Sequence, residues 1–215
     1  MLADRFAAVD TTAMCDADKT TRVLAEAIRP RSATRRLCGP AFTVRCGGDI
    51  LPVLRAIEAA APGDVIVVDG GGREIAFGGE LFARGALVRG LGGIVVDGGY
   101  RDIGYVSTCP LPVFSRSVTP MAAPATEPGE LGVPITCGGV PVHPGDLIMA
   151  DDEGVIVVDP ARVDALLDAA AAIKATEHRL IERLDAGATL SDGFNLAEHV
   201  AARTAGEPST LTFIF

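Results

Sequence analysis

The sequence predicts an α/β domain built around a parallel sheet. Hydrophobic residues make up 48% of the chain and aromatic residues only 5%, and the 25 glycines suit tightly packed α/β layers. The segment IVVDGGGRE at residues 66–74 recurs as IVVDGGYRD at residues 94–102. A helical pattern separates the two copies, and strand, helix and strand within about 30 residues form a βαβ unit. We therefore predict that the two copies are parallel neighbours in the sheet.

Proline and glycine divide the part of the chain before the repeat. Pro30 ends one helical pattern and the Pro62-Gly63 pair ends another, because neither residue continues a helix well. Between them, one segment alternates apolar and polar residues as a half-buried strand does. The predicted elements are helices over 4–14 and 16–27, a strand over 39–46, a helix over 51–61 and a strand over 65–68.

The segment between the two copies predicts an amphipathic crossover helix within residues 77–91. Its apolar side chains fall on one stripe, while Arg84 and Arg89 are expected to face water. The stripe consists of Leu81, Phe82, Ala86 or Leu87, and Val88.

Beyond the repeat, short strands come first and a long amphipathic helix comes last. Asp152-Glu153-Gly154 predicts a hairpin turn between two apolar runs. The predicted elements are strands over 111–115, 133–137 and 155–158 and a helix over 161–185, followed by a less periodic tail.

Composition bounds the class of protein. The 215 residues suffice for one sizeable core, and we predict a single domain over residues 1–215. The net charge of −9 argues against nucleic-acid binding, and the only basic cluster, at 29–36, is predicted to be a solvated connection.

Five cysteines without a CxxC motif predict free thiols in a reducing compartment. With neither a signal-peptide pattern nor an apolar run of membrane-spanning length, we expect a soluble cytoplasmic protein.

Chemistry is expected where the two copies end, because ligands collect beyond the carboxyl ends of parallel strands. Arg101 and Asp102 follow the second copy, and Arg73 and Glu74 follow the first copy in the same frame. A carboxylate suits a hydrated divalent cation, and a guanidinium suits a substrate carboxylate. Local sequence does not decide between the copies, and a surface Arg-Asp turn is an equal alternative.

The segment that opens the crossover helix favours the second copy. A helix start presents unpaired N–H groups to an anion, Gly79 allows close approach, and Glu80 adds a second carboxylate. A small 2-oxo acid would fit there, with its carboxylate on the helix start and Arg101 and its carbonyl oxygen towards a metal near Asp102. The structural alternative is that the double glycine only permits close packing of helix on sheet.

Other chemistries have weaker support in the sequence. His143, His178 and His199 lack zinc-binding spacing, and there is no GxSxG nucleophile motif or GxGxxG dinucleotide motif. A methyltransferase would also need a glycine-rich cofactor loop that is missing. Lys19 and Lys174 are the only lysines, so a Schiff-base aldolase is disfavoured and a metal-dependent one is left.

Several spaced motifs together resemble the RraA-like family, over about residues 10–185. They are GPAFTVRC, PGDVIVVDGGG, GGELFARGALVRGLGGIVVDGGYRD, PVFSRSVTP and GVPITCGGVPVHPGDLIMADDEGVIVV. The family contains class II 4-hydroxy-4-methyl-2-oxoglutarate aldolases and the regulator of ribonuclease E activity. The resemblance implies a layered α/β/β/α fold of the swivelling phosphohistidine-domain type, a homotrimer or dimer of trimers with sites at subunit interfaces, and Mg²⁺ or Mn²⁺ as cofactor.

The resemblance also implies roles for individual residues. Arg101 would bind substrate and Asp102 would hold the metal, which favours the second copy. Glu80 lies where the family places an acid near the metal's waters, within a substrate loop formed by Gly79, Glu80, Leu81 and Phe82.

Two further positions concern acids that the family's pattern places near the site. Family aldolases carry an acid three positions after the metal ligand, and Tyr105 stands there in this chain. They also use an acid from the neighbouring subunit's C-terminal helix, for which Glu177 is the candidate, although a solvated helix face explains Glu177 equally well.

The sequence therefore predicts a metal-dependent lyase. The predicted reaction cleaves a 4-hydroxy-2-oxo acid, such as 4-hydroxy-4-methyl-2-oxoglutarate, to pyruvate, with oxaloacetate decarboxylase activity as well. Arg101, Glu80 and Glu177 are the predicted catalytic residues. The alternative is a non-catalytic trimeric regulator that binds and inhibits a ribonuclease.

Overall fold

The computed structural model describes residues 2–214, with side chains from Arg5 to Ile214. Met1 and Phe215, which the predicted domain includes, lie outside the described residues. The strands are β1 (Arg22–Val23), β2 (Arg29–Pro30), β3 (Leu37–Arg45), β4 (Val65–Ala76), β5 (Gly93–Tyr100), β6 (Val113–Val118), β7 (Glu130–Leu131), β8 (Ile135–Cys137), β9 (Val140–Val142), β10 (Leu147–Ala150) and β11 (Val155–Val158). The helices are α1 (Leu2–Ala7), α2 (Thr11–Ala17), α3 (Leu51–Ala59), α4 (Glu80–Val88), α5 (Ile103–Val106), α6 (Val163–Asp185) and α7 (Leu196–Thr204).

The centre of the fold is a run of four parallel strands in the order β3-β4-β5-β6. All eight residues of β5 are buried, as expected for a strand that is covered on both faces. The two copies of the repeat pair in parallel, with Val68 opposite Val96, so Asp69 and Asp97 follow the two apolar runs on neighbouring strands. This pairing confirms the predicted βαβ unit.

Three apolar clusters divide the fold into α, β, β and α layers. One cluster lies between the parallel strands and α3 and α4, and it includes Ile66 and Val68. Val65 and Val67 point the other way, into a second cluster shared with β10 and β11. The opposite face of that β10–β11 hairpin packs under α6. The predicted α/β layering, the hairpin turn at Asp152 to Gly154 and the long helix are all confirmed.

Aspartates break the two predicted N-terminal helices. The helix predicted over 4–14 is interrupted at Asp10, whose side chain caps α2 by accepting the Ala13 N–H. The helix predicted over 16–27 is wrong, because α2 ends at Ala17 and the Asp18 carboxylate accepts the N–H and hydroxyl of Thr20. Aspartate competes with helical hydrogen bonding in this way, and the chain then enters β1, which pairs with β11.

The crossover helix is shorter than predicted, and only part of the predicted stripe faces the sheet: Phe82, Ala86 and Leu87 pack against the core cluster. It spans only Glu80–Val88, and its buried residues are Ala83 and Ala86. Leu81 and Val88, placed on the buried stripe by the sequence pattern, are 77% and 87% exposed. The apolar face of the helix is therefore narrower than the sequence pattern indicates.

Three of the four arginines in the 29–36 cluster are exposed, as expected of a solvated connection, but the cluster also binds protein groups. Arg31 donates to the hydroxyl and carbonyl of Ser115, and Arg36 donates to the Phe6 and Val9 carbonyls. All five cysteines are free, as predicted, and burial raises the pKa of Cys38 and of Cys46 to about 12.

None of the helices among residues 2–214 has both the length and the apolar character needed to cross a membrane.

A buried ion pair joins the ends of the central strands. Asp97, at the end of the second repeat's apolar run, accepts the Arg116 Nε–H at 2.6 Å and the Gly138 N–H at 2.8 Å. Its side chain is 8% exposed, so both oxygens are satisfied by the protein. The pair ties β5 to β6 and to the β8–β9 hairpin. Burial, together with the neighbouring Asp97, raises the pKa of Asp69.

We expect Asp97→Ala to lower the free energy of unfolding by about 3 kcal/mol, because Arg116 and the Gly138 N–H would lose their partner inside the protein. Urea unfolding followed by circular dichroism measures the change. The matched control is Asp152→Ala, which breaks the exposed pair with Arg35 and should cost less than about 1 kcal/mol. Equal costs for the two variants would show that the Asp97 pair is not a structural tie.

Candidate active site

Two backbone contacts bring the end of β5 against the start of α4. The Arg101 N–H donates to the Gly78 carbonyl at 3.0 Å, and the Glu80 N–H donates to Oδ2 of Asp102 at 3.0 Å. Asp102 has φ of 57°, and it is the only non-glycine residue with positive φ in the described chain. Aspartate tolerates this left-handed turn better than most residues, and the turn directs its carboxylate back towards the helix start.

Gly79 leaves the space in which the two sides meet. A Cβ atom at this position would lie 2.3 Å from Oδ2 of Asp102 and 2.9 Å from Cγ of Arg101. The backbone of Gly79 is extended, with φ of −171°, so the requirement is for space and not for unusual dihedral angles. The double glycine therefore admits Arg101 and Asp102 to the helix start, beyond simply packing helix on sheet.

The helix start offers hydrogen-bond donors beside a guanidinium and a carboxylate. The first i to i−4 hydrogen bond of α4 is donated by the Ala83 N–H to the Gly79 carbonyl. The N–H groups of Leu81 and Phe82 come before this bond, so the helix itself offers them no acceptor. Nε of Arg101 lies 3.7 Å from Oδ2 of Asp102, and the two side chains are 40% and 43% exposed. An anion beside a bound cation is the kind of ligand that such a group of donors and charges can accept.

Glu80 belongs to a second group of side chains at the same opening. Its Oε1 accepts the Arg84 Nε–H at 2.8 Å, and this bond raises the pKa of Arg84. The guanidinium carbon of Arg84 lies 4.1 Å from the centre of the Tyr105 ring. Sequence reasoning gave Arg84 no role here, although Glu80 and Arg84 have the i,i+4 spacing of a helical ion pair. The Tyr105 contact has no signal in the sequence, because it joins two helices.

The first copy of the repeat has different surroundings. Its strand continues past the glycines to Ala76, and Arg73 donates weakly to the Gly47 carbonyl at 3.4 Å. Arg73 lines a cavity of about 190 Å³ with Arg45, Asp69 and four glycines. Arg73 and Glu74 therefore share no hydrogen bond with the start of α4 among the described residues. The structure brings Arg101 and Asp102, but not their counterparts, to the helix start.

Glu177 does not join the group within one chain. It lies on α6 and pairs with Lys174 at 3.2 Å, and Lys174 also binds Asp10 at 2.9 Å. Because α6 covers the hairpin on the opposite outer layer of the fold, a role for Glu177 at the site of a neighbouring subunit stays a prediction.

The described residues contain no cluster of three or more His, Cys, Asp or Glu side chains that could hold a metal ion. Asp102 offers a single carboxylate, and the hydrogen bond found at its side chain engages Oδ2 only. One carboxylate oxygen left available suits a hard cation that keeps most of its waters.

We expect Gly79→Ala to turn the Asp102 carboxylate away from the Glu80 N–H, because the new methyl group would occupy the position of Oδ2. A crystal structure of the variant, or the shift of the Glu80 amide signal in an NMR spectrum, measures the displacement. Gly104→Ala is the matched control on the neighbouring α5, since a Cβ atom there meets nothing within 4 Å. An unmoved Asp102 in Gly79→Ala would contradict this account.

Comparison with known proteins agrees with the fold and the motifs. Residues 11–157 match the model of the RraA-like family, described as Aldolase/RraA. A Halalkalibacterium halodurans protein named "Putative 4-hydroxy-4-methyl-2-oxoglutarate aldolase" is 40% identical over 170 residues, which cover 77% of this chain and 80% of that protein.

Two solved structures extend the comparison. The RNA-processing inhibitor RraA from Thermus thermophilis is 30% identical with a TM-score of 0.63, covering 69% of this chain and 91% of that one. A Streptomyces coelicolor protein, described as an unusual member of the RNase ES inhibitor RraA protein family, is 26% identical with a TM-score of 0.70, covering 87% and 96%. The chain belongs to the RraA-like family.

Proposed function

We propose that this protein is a divalent-metal-dependent lyase that cleaves a 4-hydroxy-2-oxo acid to pyruvate and also decarboxylates oxaloacetate. The observation that carries the proposal is the meeting of Arg101 and Asp102 with the start of α4. The name of the Halalkalibacterium halodurans relative supports the same reaction class and suggests 4-hydroxy-4-methyl-2-oxoglutarate as a substrate.

Asp102 is the residue that would hold the cation. Its Oδ2 is fixed by the Glu80 N–H, and Mg²⁺ or Mn²⁺ bound through one carboxylate and waters would fit an otherwise open site. When bound, such a cation supplies positive charge that stabilises the oxygens of a 2-oxo acid as negative charge develops. Neither metal is favoured over the other by the residues present.

Arg101 and the helix start would bind and orient the substrate. A guanidinium donates two parallel hydrogen bonds to a carboxylate, and the Leu81 and Phe82 N–H groups can donate to the same anion. The backbone that carries both sets of donors is fixed, since the Arg101 N–H donates to the Gly78 carbonyl and Leu81 and Phe82 belong to a helix. The substrate would thus be held in one orientation before the bond breaks.

Glu80 is the proposed proton acceptor. In the aldol cleavage, the 4-hydroxyl loses its proton, the C3–C4 bond breaks, and its electron pair forms the enolate of pyruvate, which is then protonated at C3. Glu80 is the first residue of α4, and its carboxylate would accept the hydroxyl proton through an ordered water. In oxaloacetate the same bond breaks with loss of CO₂, and no hydroxyl proton is involved.

The proposal includes assembly and location. A homotrimer, or a dimer of trimers, would cover the exposed Leu81 and Val88 of α4 and could bring Glu177 of a neighbouring subunit to the site. The five free cysteines are consistent with a cytoplasmic protein.

The second candidate function is a non-catalytic regulator that binds a ribonuclease. The two solved relatives described as RNase or RNA-processing inhibitors favour it. A regulator of this kind would act through its surface and would not need a metal at Asp102.

Removal of divalent cations is expected to abolish pyruvate release, because Asp102 would then have no cation to hold. A coupled assay with lactate dehydrogenase measures pyruvate after treatment with a chelator and gel filtration. Added Mg²⁺ or Mn²⁺ should restore the rate. Release that continues unchanged in the chelated protein would rule out the metal-dependent reaction.

The repeat supplies matched controls for the site residues. Arg101→Met and Asp102→Asn should each lower kcat/KM at least about 100-fold, because substrate orientation or charge stabilisation is lost. Arg73→Met and Glu74→Gln make the same chemical changes in the first copy and should leave kcat/KM within about 2-fold. Similar losses of kcat/KM from variants in both copies would count against the site. If the protein has no lyase activity and the Asp102→Asn variant still inhibits a ribonuclease, the regulator is favoured.

A further inference from the structure

We infer that Tyr105 and Arg84 are positioning residues that hold the Glu80 carboxylate at the opening of the site. The inference rests on the proposed function, in which Glu80 accepts the substrate's proton. It assigns a task to two residues that bind neither substrate nor metal in that mechanism.

The first step of the argument is the freedom of Glu80. Its side chain is 38% exposed at the first position of α4, where a glutamate has several rotamers open to it. The bond from Arg84 Nε, one turn later in the helix, selects a rotamer in which Oε1 lies over the helix surface. An exposed pair of this spacing is weak when both side chains are free to move, so Arg84 itself needs support.

Tyr105 gives that support. Its ring lies under the Arg84 guanidinium, with 4.1 Å between the centre of the ring and the guanidinium carbon. This is the geometry of a favourable cation–π contact. The Tyr105 oxygen is held in turn by the Cys109 thiol, with Sγ at 3.8 Å. Burial of the ring, followed by this thiol contact, raises the pKa of Tyr105, so the phenol stays neutral at physiological pH.

The backbone of α5 links this support to the proposed metal ligand. The Tyr105 N–H donates to the Asp102 carbonyl at 3.0 Å, and the Val106 N–H donates to the same oxygen. The turn that fixes Asp102 therefore also fixes Tyr105. Glu80 in turn donates its backbone N–H to Asp102, so the two carboxylates are set relative to each other through a closed ring of contacts.

The test is a double-mutant cycle on the lyase reaction with a 4-hydroxy-2-oxo acid. Tyr105→Leu should lower kcat about 3-fold and Arg84→Met about 5-fold with KM nearly unchanged, since neither residue binds the substrate. The double variant should match Arg84→Met alone and not reach the about 15-fold loss expected of independent effects. Tyr105→Phe keeps the ring and should retain the original kcat.

Controls separate positioning from general damage. Arg89→Met removes an arginine from the end of the same helix, where it binds the Glu58 carbonyl, and should not change kcat. Arg84→Lys keeps the positive charge but lacks the flat guanidinium that stacks on the ring. It is used in place of Tyr105→Leu if Tyr105→Leu fails to fold. Oxaloacetate gives an internal control, because its decarboxylation needs no hydroxyl proton and should be insensitive to both positioning residues.

A readout without turnover tests the contacts themselves. The NMR signal of the Arg84 Nε–H should show the ring-current shift of Tyr105, keep it in Tyr105→Phe and lose it in Tyr105→Leu. Additive kcat losses, unchanged kcat in Tyr105→Leu, or an Arg84 signal that is the same in all three proteins would overturn the inference. If the unmodified protein releases no pyruvate from any substrate, the proposed function fails, and the NMR comparison alone decides whether Tyr105 positions Arg84.

Discussion

The hydrogen bond from the Glu80 N–H to the Asp102 carboxylate is the contact on which the candidate site depends. It requires the chain after β5 to turn back, which the left-handed backbone of Asp102 achieves. It also requires an open position at the helix start, which only glycine provides at residue 79. The helix N-terminus and the carboxylate stabilise each other, since an anion is favoured beside the first turn of a helix.

The repeated motif shows why local sequence does not determine a site. Both copies place an arginine and an acid after glycines, yet only the second copy lies against the start of α4. The chain runs from β4 through α4 to the parallel strand β5, and the start of α4 contacts the residues that follow β5. In the first copy the strand continues to Ala76, and the Arg73 side chain reaches the Gly47-Gly48 turn instead.

Patterns with one dominant physical cause could be predicted from the sequence. The apolar runs of β4 and β5, the hairpin turn before β11 and the stripe of α6 each reflect burial or turn geometry, and all were predicted correctly. The helix over 16–27 failed because Asp18 offered the backbone a competing hydrogen bond. The outward face of α4 and the Arg84–Tyr105 contact depend on how closely two elements pack, which periodicity does not encode.

The two acids of the second copy divide the requirements of fold and chemistry. Asp97 is buried and has both oxygens bonded to the protein, so it ties β5 to β6 and to the β8–β9 hairpin and is shielded from solvent. Asp102 lies five residues later, is 43% exposed and contributes to no apolar cluster. A change at Asp102 would therefore remove the proposed cation ligand while leaving the apolar core intact. The residues that build the strand edge are thus different from those that line the opening, so the same α/β scaffold is compatible with either of the two proposed functions.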